Sequence, residues 1–283
     1  MLTETAPAKI NLTLRVLGRR ADGYHDLESL VAFADLADRL TLAPSETRAL
    51  DVAGPFGIAS GNVSDNLVLK AVNALRDRVD GIKAGRFTLE KNIPVAAGIG
   101  GGSADAAAAL RLLARLNALA LDDARLMDAA RAVGADVPVC LDSKARIMRG
   151  VGEQLSPVIT LPRLPAVLVN PGVAVATRDV FAKLVIRSGG GPALTEMPQN
   201  FDAAIAFLKQ YGNDLAAPAI ECAPVIADVL AVLEATAGCR LARMSGSGAT
   251  CFALFASESE ASAAARAVQA RHTRWWVKDV TLS

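Results

Sequence analysis

Pro94-Val95-Ala96-Ala97-Gly98-Ile99-Gly100-Gly101-Gly102-Ser103-Ala104-Asp105 runs directly into Ala106-Ala107-Ala108-Ala109-Leu110. Four glycines within five positions argue against a helix or strand interior, because glycine loses the most backbone freedom on ordering. They permit positive φ and let backbone N–H groups approach a bulky anion closely. Ser103 to Leu116 then reads as a helix rich in alanine and leucine. Ser103 is its expected N-cap and Asp105 falls in its first turn, where the helix dipole favours an acid. Upstream, Phe87-Thr88-Leu89-Glu90-Lys91 alternates like a strand. Strand, glycine loop and helix N-terminus in that order form a phosphate-cradling arrangement. The competing reading is an ordinary surface loop; the helix that follows at once favours phosphate.

Two familiar phosphate loops do not fit. A Walker A loop requires a lysine after its last glycine, and none follows here. A dinucleotide fingerprint counted from Gly98 meets Ser103 where its third glycine belongs.

The pattern Pro-x-x-x-Gly-x-Gly-Gly-Gly-Ser followed by small residues resembles the phosphate loop of the GHMP kinases, the family of galactokinase, homoserine kinase and mevalonate kinase. Other blocks match in order along nearly the whole chain: Ala6-Pro7-Ala8-Lys9-Ile10-Asn11-Leu12, Arg20-Ala21-Asp22-Gly23-Tyr24-His25-Asp26-Leu27, Gly134-Ala135-Asp136-Val137-Pro138 and Ser245-Gly246-Ser247-Gly248-Ala249. The first two narrow the resemblance to a member of isoprenoid-precursor synthesis whose acceptor alcohol is linked to cytidine diphosphate. The resemblance implies a two-domain α+β fold with the site in the cleft between domains. It also implies ATP and Mg²⁺ as cosubstrate and cofactor, and small molecules as partners.

Composition sets the outer bounds. At 283 residues the chain is long enough to build a core without disulfides or metals. Its 30 basic and 29 acidic residues leave a formal charge of +1 with no long run of either sign. No basic stripe for nucleic acid or a membrane surface is visible, and no obligate protein partner is evident. Cys140, Cys222, Cys239 and Cys251 lie far apart, the pattern of reduced thiols in a cytoplasmic protein. Met1 to Ala8 does not read as a signal peptide, and no uncharged apolar run is long enough to span a membrane.

Along the chain, Ala8 to Leu17 is expected as an alternating strand with Lys9, Asn11, Thr13 and Arg15 on its polar face. Tyr24 to Ala34 and Arg39 to Ala43 follow as separate strands, and a helix starts after Asp65-Asn66. A second helix runs from Asp122 to Val133 and is closed by Gly134. A boundary near residue 150 divides an ATP-binding domain, 1–150, from a C-terminal domain, 151–283. Beyond it the expected elements are a strand at Ala166 to Val169, helices at Thr177 to Ile186, Phe201 to Gln210 and Pro224 to Thr236, and a mobile loop at Arg187 to Pro192. The tail reads strand, Ser-Gly-Ser-Gly turn, strand, helix, strand. It predicts a small antiparallel sheet with helices on one face, with Trp275 and Trp276 anchoring the last strand in the core.

Phosphoryl transfer needs donors on the phosphates, a metal, and a group that orients and deprotonates the acceptor hydroxyl. Standing alone, Asp136 after Gly-Ala could equally be a turn or cap residue; the resemblance makes it the catalytic base, with Lys9 as its partner. Without the resemblance, Lys9 is a solvated lysine on a strand. The resemblance likewise assigns ATP to Pro94, Gly98, Gly100, Gly101, Gly102 and Ser103, with Lys91 and Asn66 on the nucleotide side. Asn66 also fits a helix N-cap. Ser103 is the candidate Mg²⁺ ligand, and Asp105, one turn on, requires either a metal or an outward-pointing side chain. For the acceptor, the resemblance has Tyr24 and Phe181 sandwich the cytosine while His25 hydrogen-bonds its edge. On pattern alone Phe181 equally fits helix packing. Asn11 and Thr177 line the polyol and diphosphate end, and Gly246, Ser247 and Gly248 form a loop over it.

Overall fold

A computed structural model of the chain describes residues 1–185, 194 and 197–283. In chain order the elements begin with β1 (Leu2–Asn11), β2 (Arg15–Arg19), β3 (His25–Pro44), β4 (Ala49–Ala53), α1 (Leu67–Arg76), β5 (Gly85–Glu90), α2 (Gly101–Leu116), α3 (Ala124–Val133) and α4 (Val137–Cys140). There follow β6 (Arg146–Gly150), β7 (Gln154–Leu155), β8 (Leu164–Asn170), α5 (Thr177–Ala182), α6 (Phe201–Leu208), α7 (Ala216–Cys222), α8 (Val225–Glu234), β9 (Leu241–Met244), β10 (Cys251–Leu254), α9 (Glu258–Arg271) and β11 (Trp276–Leu282). This is an α+β chain. It divides into two compact units that interleave in sequence: residues 1–9, 36–95 and 100–143 form the first, and residues 10–35, 96–99 and 144–283 the second. The glycine loop is therefore shared, Gly98 belonging to the second unit and Gly100 to the first.

In the first unit β5 pairs antiparallel with the second half of β3, Arg39 opposite Glu90 and Leu42 opposite Phe87. β4 lies parallel on its other side. The expected alternation in β5 is seen: Phe87 and Leu89 are buried while Arg86, Thr88 and Glu90 face out. α2 is buried on nearly every side, with Ala104 and Ala106 to Ala109 all at 1% exposure or less. Alanine offers high helix propensity and little bulk, so α1 and α4 can pack close to this helix.

In the second unit the first half of β3 is flanked by β2 and β6, both antiparallel. A further antiparallel run has the order β9-β10-β8-β11, and Leu282 at its edge pairs with Ala34 of β3. All seven residues of β8 are buried, as a central strand requires. α8 and α9 cover this sheet through Ile226, Val229, Leu233, Ala261 and Ala265. Arg243 on β9 is buried and donates to the carbonyls of Leu12 (2.6 Å), Leu208 (3.1 Å) and Tyr211 (2.7 Å). Desolvation pulls this guanidinium down to about 10 and leaves it charged at neutral pH.

Several expectations need correction. The strand expected over Ala8 to Leu17 is interrupted at residues 12–14, and its polar side is not solvated: Lys9, Asn11 and Thr13 are 0–4% exposed. The two strands expected between Tyr24 and Ala43 are one 20-residue strand, β3. The helix after the glycine loop starts at Gly101, with Gly100 as N-cap in the left-handed region (φ +64°), so Ser103 is a third-position residue and not the cap. Glycines 101 and 102 are tolerated in a helix here because side chains press on them: an added Cβ would meet Ile93 Cγ2 at 3.1 Å and Leu67 Cδ1 at 3.3 Å. α5 is shorter than expected, ending at Ala182, and α7 is a helix that no sequence signal marks. Trp275 is half-buried and packs against the core of the second unit while its ring stacks on His272, 3.9 Å between centroids; Trp276 is half-buried and is not among the residues packed on that core. The loop expected at Arg187 to Pro192, together with Ile186, lies outside the described residues.

Candidate active site

On the first unit, β1 delivers Lys9 and the turn before α4 delivers Asp136. Lys9 Nζ lies 2.9 Å from Asp136 Oδ1, with the lysine side chain 4% exposed and the aspartate 40% exposed. Asp136 occupies the cap position of α4, yet its side chain makes no capping bond. The carboxylate is committed to Lys9 and open to solvent on its other side. Gly100 packs on the lysine stem, where an added Cβ would stand 3.1 Å from Lys9 Cβ and 3.2 Å from Cε. Arg111 of α2 joins the same parts from behind. It contacts Glu4 at 3.0 Å and donates to the carbonyls of Thr5 (2.6 Å) and Cys140 (2.8 Å), thereby gripping both β1 and the end of α4. Burial, then the nearby Asp136 charge, pushes the Cys140 thiol up to about 12, so it stays protonated and takes no part in chemistry.

The glycine loop enters through buried Pro94 and ends in α2, whose first turn carries Gly101, Gly102 and half-exposed Ser103. Beneath that turn lies a buried ion cluster. Lys91 Nζ donates to Asp105 Oδ2 at 2.7 Å and to the Asp38 carboxylate, and all three side chains are at most 5% exposed. Asp105 therefore points inward and not outward as expected, because the buried Lys91 ammonium supplies its countercharge. Asn66 is an N-cap, its Oδ1 accepting from Val68 N at 2.9 Å. Asp38 lies in a mixed acidic and apolar stretch of β3 that carries no motif. Its only sequence signal is an acid where a strand turns inward.

On the second unit, Asn11 donates through Nδ2 to Ser29 Oγ at 2.7 Å, and its backbone N–H donates to Ser245 Oγ at 3.0 Å. Ser245 in turn donates to the Gly98 carbonyl at 3.1 Å. β9 and β10 form the expected hairpin around Gly246, Ser247 and Gly248, and both glycines have positive φ, +55° and +87°. Ser247 Oγ is 2.8 Å from Thr177 Oγ1, so the two hydroxyls predicted from separate blocks stand together. Asn213, which no sequence pattern marks, braces the turn by donating to the carbonyls of Met244 and Gly246, each at 2.8 Å.

Tyr24 follows an Asp-Gly turn in which its N–H donates to Asp22 Oδ1 at 3.1 Å, and the residue is 65% exposed. The ring lying on Phe181 is that of His25, with centroids 4.8 Å apart and planes inclined by 26°. Burial first, and Arg19 second, hold the His25 imidazolium below the usual 6.5. Its neutral form thus predominates at neutral pH, offering one donor and one acceptor nitrogen. A separate cavity of about 560 Å³ on this unit, bordered by Arg15, Lys183, Tyr211, Asp214 and Glu221, contains none of the expected acceptor residues. Of its charges, Lys183 pairs with Glu221 across 3.6 Å, while Arg15 is held by Glu28, outside the cavity, at 3.1 Å.

The family model for the GHMP kinases N terminal domain matches residues 66–144, and that for the GHMP kinases C terminal domain matches residues 198–273. A 4-diphosphocytidyl-2-C-methyl-D-erythritol kinase of Rhodopseudomonas palustris (strain BisB18) is 58% identical over 291 residues, covering 99% of this chain and 95% of the relative. The enzyme of the same name from Methylorubrum extorquens is 56% identical, covering 100% and 99%. A crystal structure of a 4-(cytidine 5'-diphospho)-2C-methyl-D-erythritol kinase superposes with a TM-score of 0.79 at 36% identity, over 100% of this chain and 99% of that one. Matched along its whole length by these relatives, the chain belongs to the 4-diphosphocytidyl-2-C-methyl-D-erythritol kinase family of the GHMP kinases.

Proposed function

We infer that this chain is an ATP-dependent kinase that phosphorylates the 2-hydroxyl of 4-diphosphocytidyl-2-C-methyl-D-erythritol in isoprenoid-precursor synthesis. The observation that carries the reading of its chemistry is the buried Lys9 ion-paired with a half-exposed Asp136. The Asp136 carboxylate accepts the proton of the acceptor hydroxyl. The hydroxyl oxygen forms its bond to the γ-phosphorus as the bond to the β,γ-bridging oxygen breaks, and ADP leaves. Lys9 holds the carboxylate and places a positive charge beside the oxygen as it becomes an alkoxide.

The ATP phosphates are read as lying on the backbone N–H groups of Gly98 to Ser103, with Pro94 fixing the entry to the loop and Asn66 on the nucleotide side. Mg²⁺ would shield the charge of the transferring phosphoryl group, and its ligands fit this loop. The ion takes most of its oxygens from phosphates and water, so the Ser103 hydroxyl suffices from the protein. Among the described residues no cluster of three or more acidic, histidine or cysteine side chains is arranged for a metal. The base is read as stacking with Tyr24 and Phe181 and hydrogen-bonding to His25, with Asn11, Thr177, Gly246, Ser247 and Gly248 along the rest of the acceptor. An ATP-binding domain over 1–150, a C-terminal domain over 151–283 and a cytoplasmic location complete the reading. The four unpaired cysteines support that location, and no helix among the described residues is long and apolar enough to cross a membrane.

The test is ADP release with Mg²⁺-ATP and, in separate reactions, the diphosphocytidyl acceptor, CMP, homoserine and mevalonate. Turnover with the first alone is expected. Turnover with a nucleobase-free alcohol would keep the kinase and overturn the assignment of Tyr24, His25 and Phe181.

A pH profile tests His25 on its own. Its folded pKa lies below 6.5, so the neutral ring is fully present above that value and is lost as pH falls through the folded pKa. For the acceptor, kcat/KM is expected to be level above pH 6.5 and to decline below it through this group. In His25→Gln that decline should disappear and the acceptor KM should rise about tenfold, as for loss of one well-placed hydrogen bond. An unchanged profile in the variant would remove His25 from base recognition.

A further inference from the structure

We propose that Lys91 is a positioning residue for ATP and not one of its ligands: with Asp38 and Asp105 it forms a buried strut that fixes the first turns of α2 and the N–H groups they present. The proposal rests on reading the glycine loop as the ATP phosphate site. Its geometry lies wholly within the first unit.

Lys91 follows β5 and ends in a closed environment. Its side chain is 5% exposed, against 0% for Asp38 and 3% for Asp105. Asp38 is oriented from the other side by two backbone donors, Asn92 N–H at 2.5 Å and Ile93 N–H at 2.8 Å, the residues just before the glycine loop. Asp105 sits on the second turn of α2, and an added Cβ on Gly101 would stand 3.1 Å from Lys91 Nζ. The ammonium thus presses against the backbone at the start of α2, and the cluster ties together β3, the entry to the loop and the helix.

The charge balance also argues against a phosphate ligand. One cation meets two carboxyl groups, so the lysine charge is already offset. Burial draws the Lys91 ammonium down, but the two carboxylates outweigh it and raise it overall. Burial and Asp38 push the Asp105 carboxyl up to about 7 against the pull of Lys91, and its Oδ1 is buried without a hydrogen-bond partner. For Lys91 to swing out to a phosphate, it would have to leave two buried carboxylates unpaired, the costliest outcome for a buried ion cluster.

The two roles predict opposite signs. Freeing Lys91 from one carboxylate strengthens a phosphate ligand but loosens a strut. Calorimetric titration of Mg²⁺-ATP is therefore compared among the wild-type chain, Asp38→Asn and Asp105→Asn, alongside KM values for both substrates. Both variants are expected to bind ATP about tenfold more weakly, as for one charge-assisted hydrogen bond, with the acceptor KM within about twofold of wild type. Unchanged or tighter ATP binding in either folded variant overturns the proposal. Should Asp38→Asn fail to fold, the nearly isosteric Asp105→Asn decides by the same sign. A wild-type chain that binds no ATP would overturn the reading of the loop itself, and this strut with it.

Discussion

Asp136→Asn is expected to lower kcat by about a thousandfold, the midpoint for loss of a general base, while ATP affinity stays within about twofold of wild type. The substitution is close to a pure chemical probe. Asparagine keeps the size of the side chain and an oxygen for the contact with Lys9 Nζ, now at 2.9 Å. No helix cap is lost, because the Asp136 side chain makes no capping bond to α4. The residues that follow, Val137 to Cys140, are all buried and bring their own packing, so the fold has no reason to change. What disappears is the ability to take the hydroxyl proton. ADP release read against calorimetric ATP binding separates the two effects. Wild-type turnover in the variant would strip Asp136 of its role, and an equal loss of ATP affinity would make it a ligand.

How far the sequence could be read depends on where each signal resides. The period-two pattern of β5 was legible because side-chain periodicity reports which face is buried. The join that makes β3 a single strand was not legible, since residues 35–38 mix acids with apolar side chains. Asp38 faces inward there because Lys91 and two backbone donors await it. Its partner across the fold, not its neighbours in sequence, decides its burial. Lys9 shows the same limit. Strand alternation puts it with Asn11 and Thr13 on a polar face, whereas in the fold its ion pair with Asp136 accompanies a lysine at 3% exposure. Motifs located the loop, the hairpin turn and the base. They were silent on Asn213, Arg111 and Asp38, whose work is done through backbone carbonyls or through another side chain, and such contacts leave no spacing to recognise.

Gly98→Ala carries the other large effect. Gly98 has φ +76°, and a Cβ built there would stand 2.5 Å from the Gly248 carbonyl oxygen and 2.8 Å from that of Ser245. Both obstacles are backbone, so no rotamer change can relieve them. The left-handed conformation adds about 1 kcal/mol for a residue with a Cβ. To make room, residues 96–99 must draw back from the turn between β9 and β10. That movement strains the bonds from Ser245 Oγ to the Gly98 carbonyl and from Thr250 N–H to the Ala97 carbonyl, both 3.1 Å. With each hydrogen bond contributing about 1 kcal/mol, the substitution is expected to cost about 3 kcal/mol. That corresponds to a fall in melting temperature of about 6–12 °C for a chain somewhat larger than 250 residues. Because the displaced segment leads directly into Gly100 to Ser103, kcat/KM for ATP should fall by at least about a hundredfold. Gly18→Ala is the control: its added Cβ meets no atom within 4 Å and its φ is not positive, so stability should stay within about 0.5 kcal/mol. Thermal melts and ATP kinetics on the pair decide the matter. A Gly98→Ala chain that melts and turns over like Gly18→Ala would mean that close approach of these two backbone segments is not what holds the loop in place.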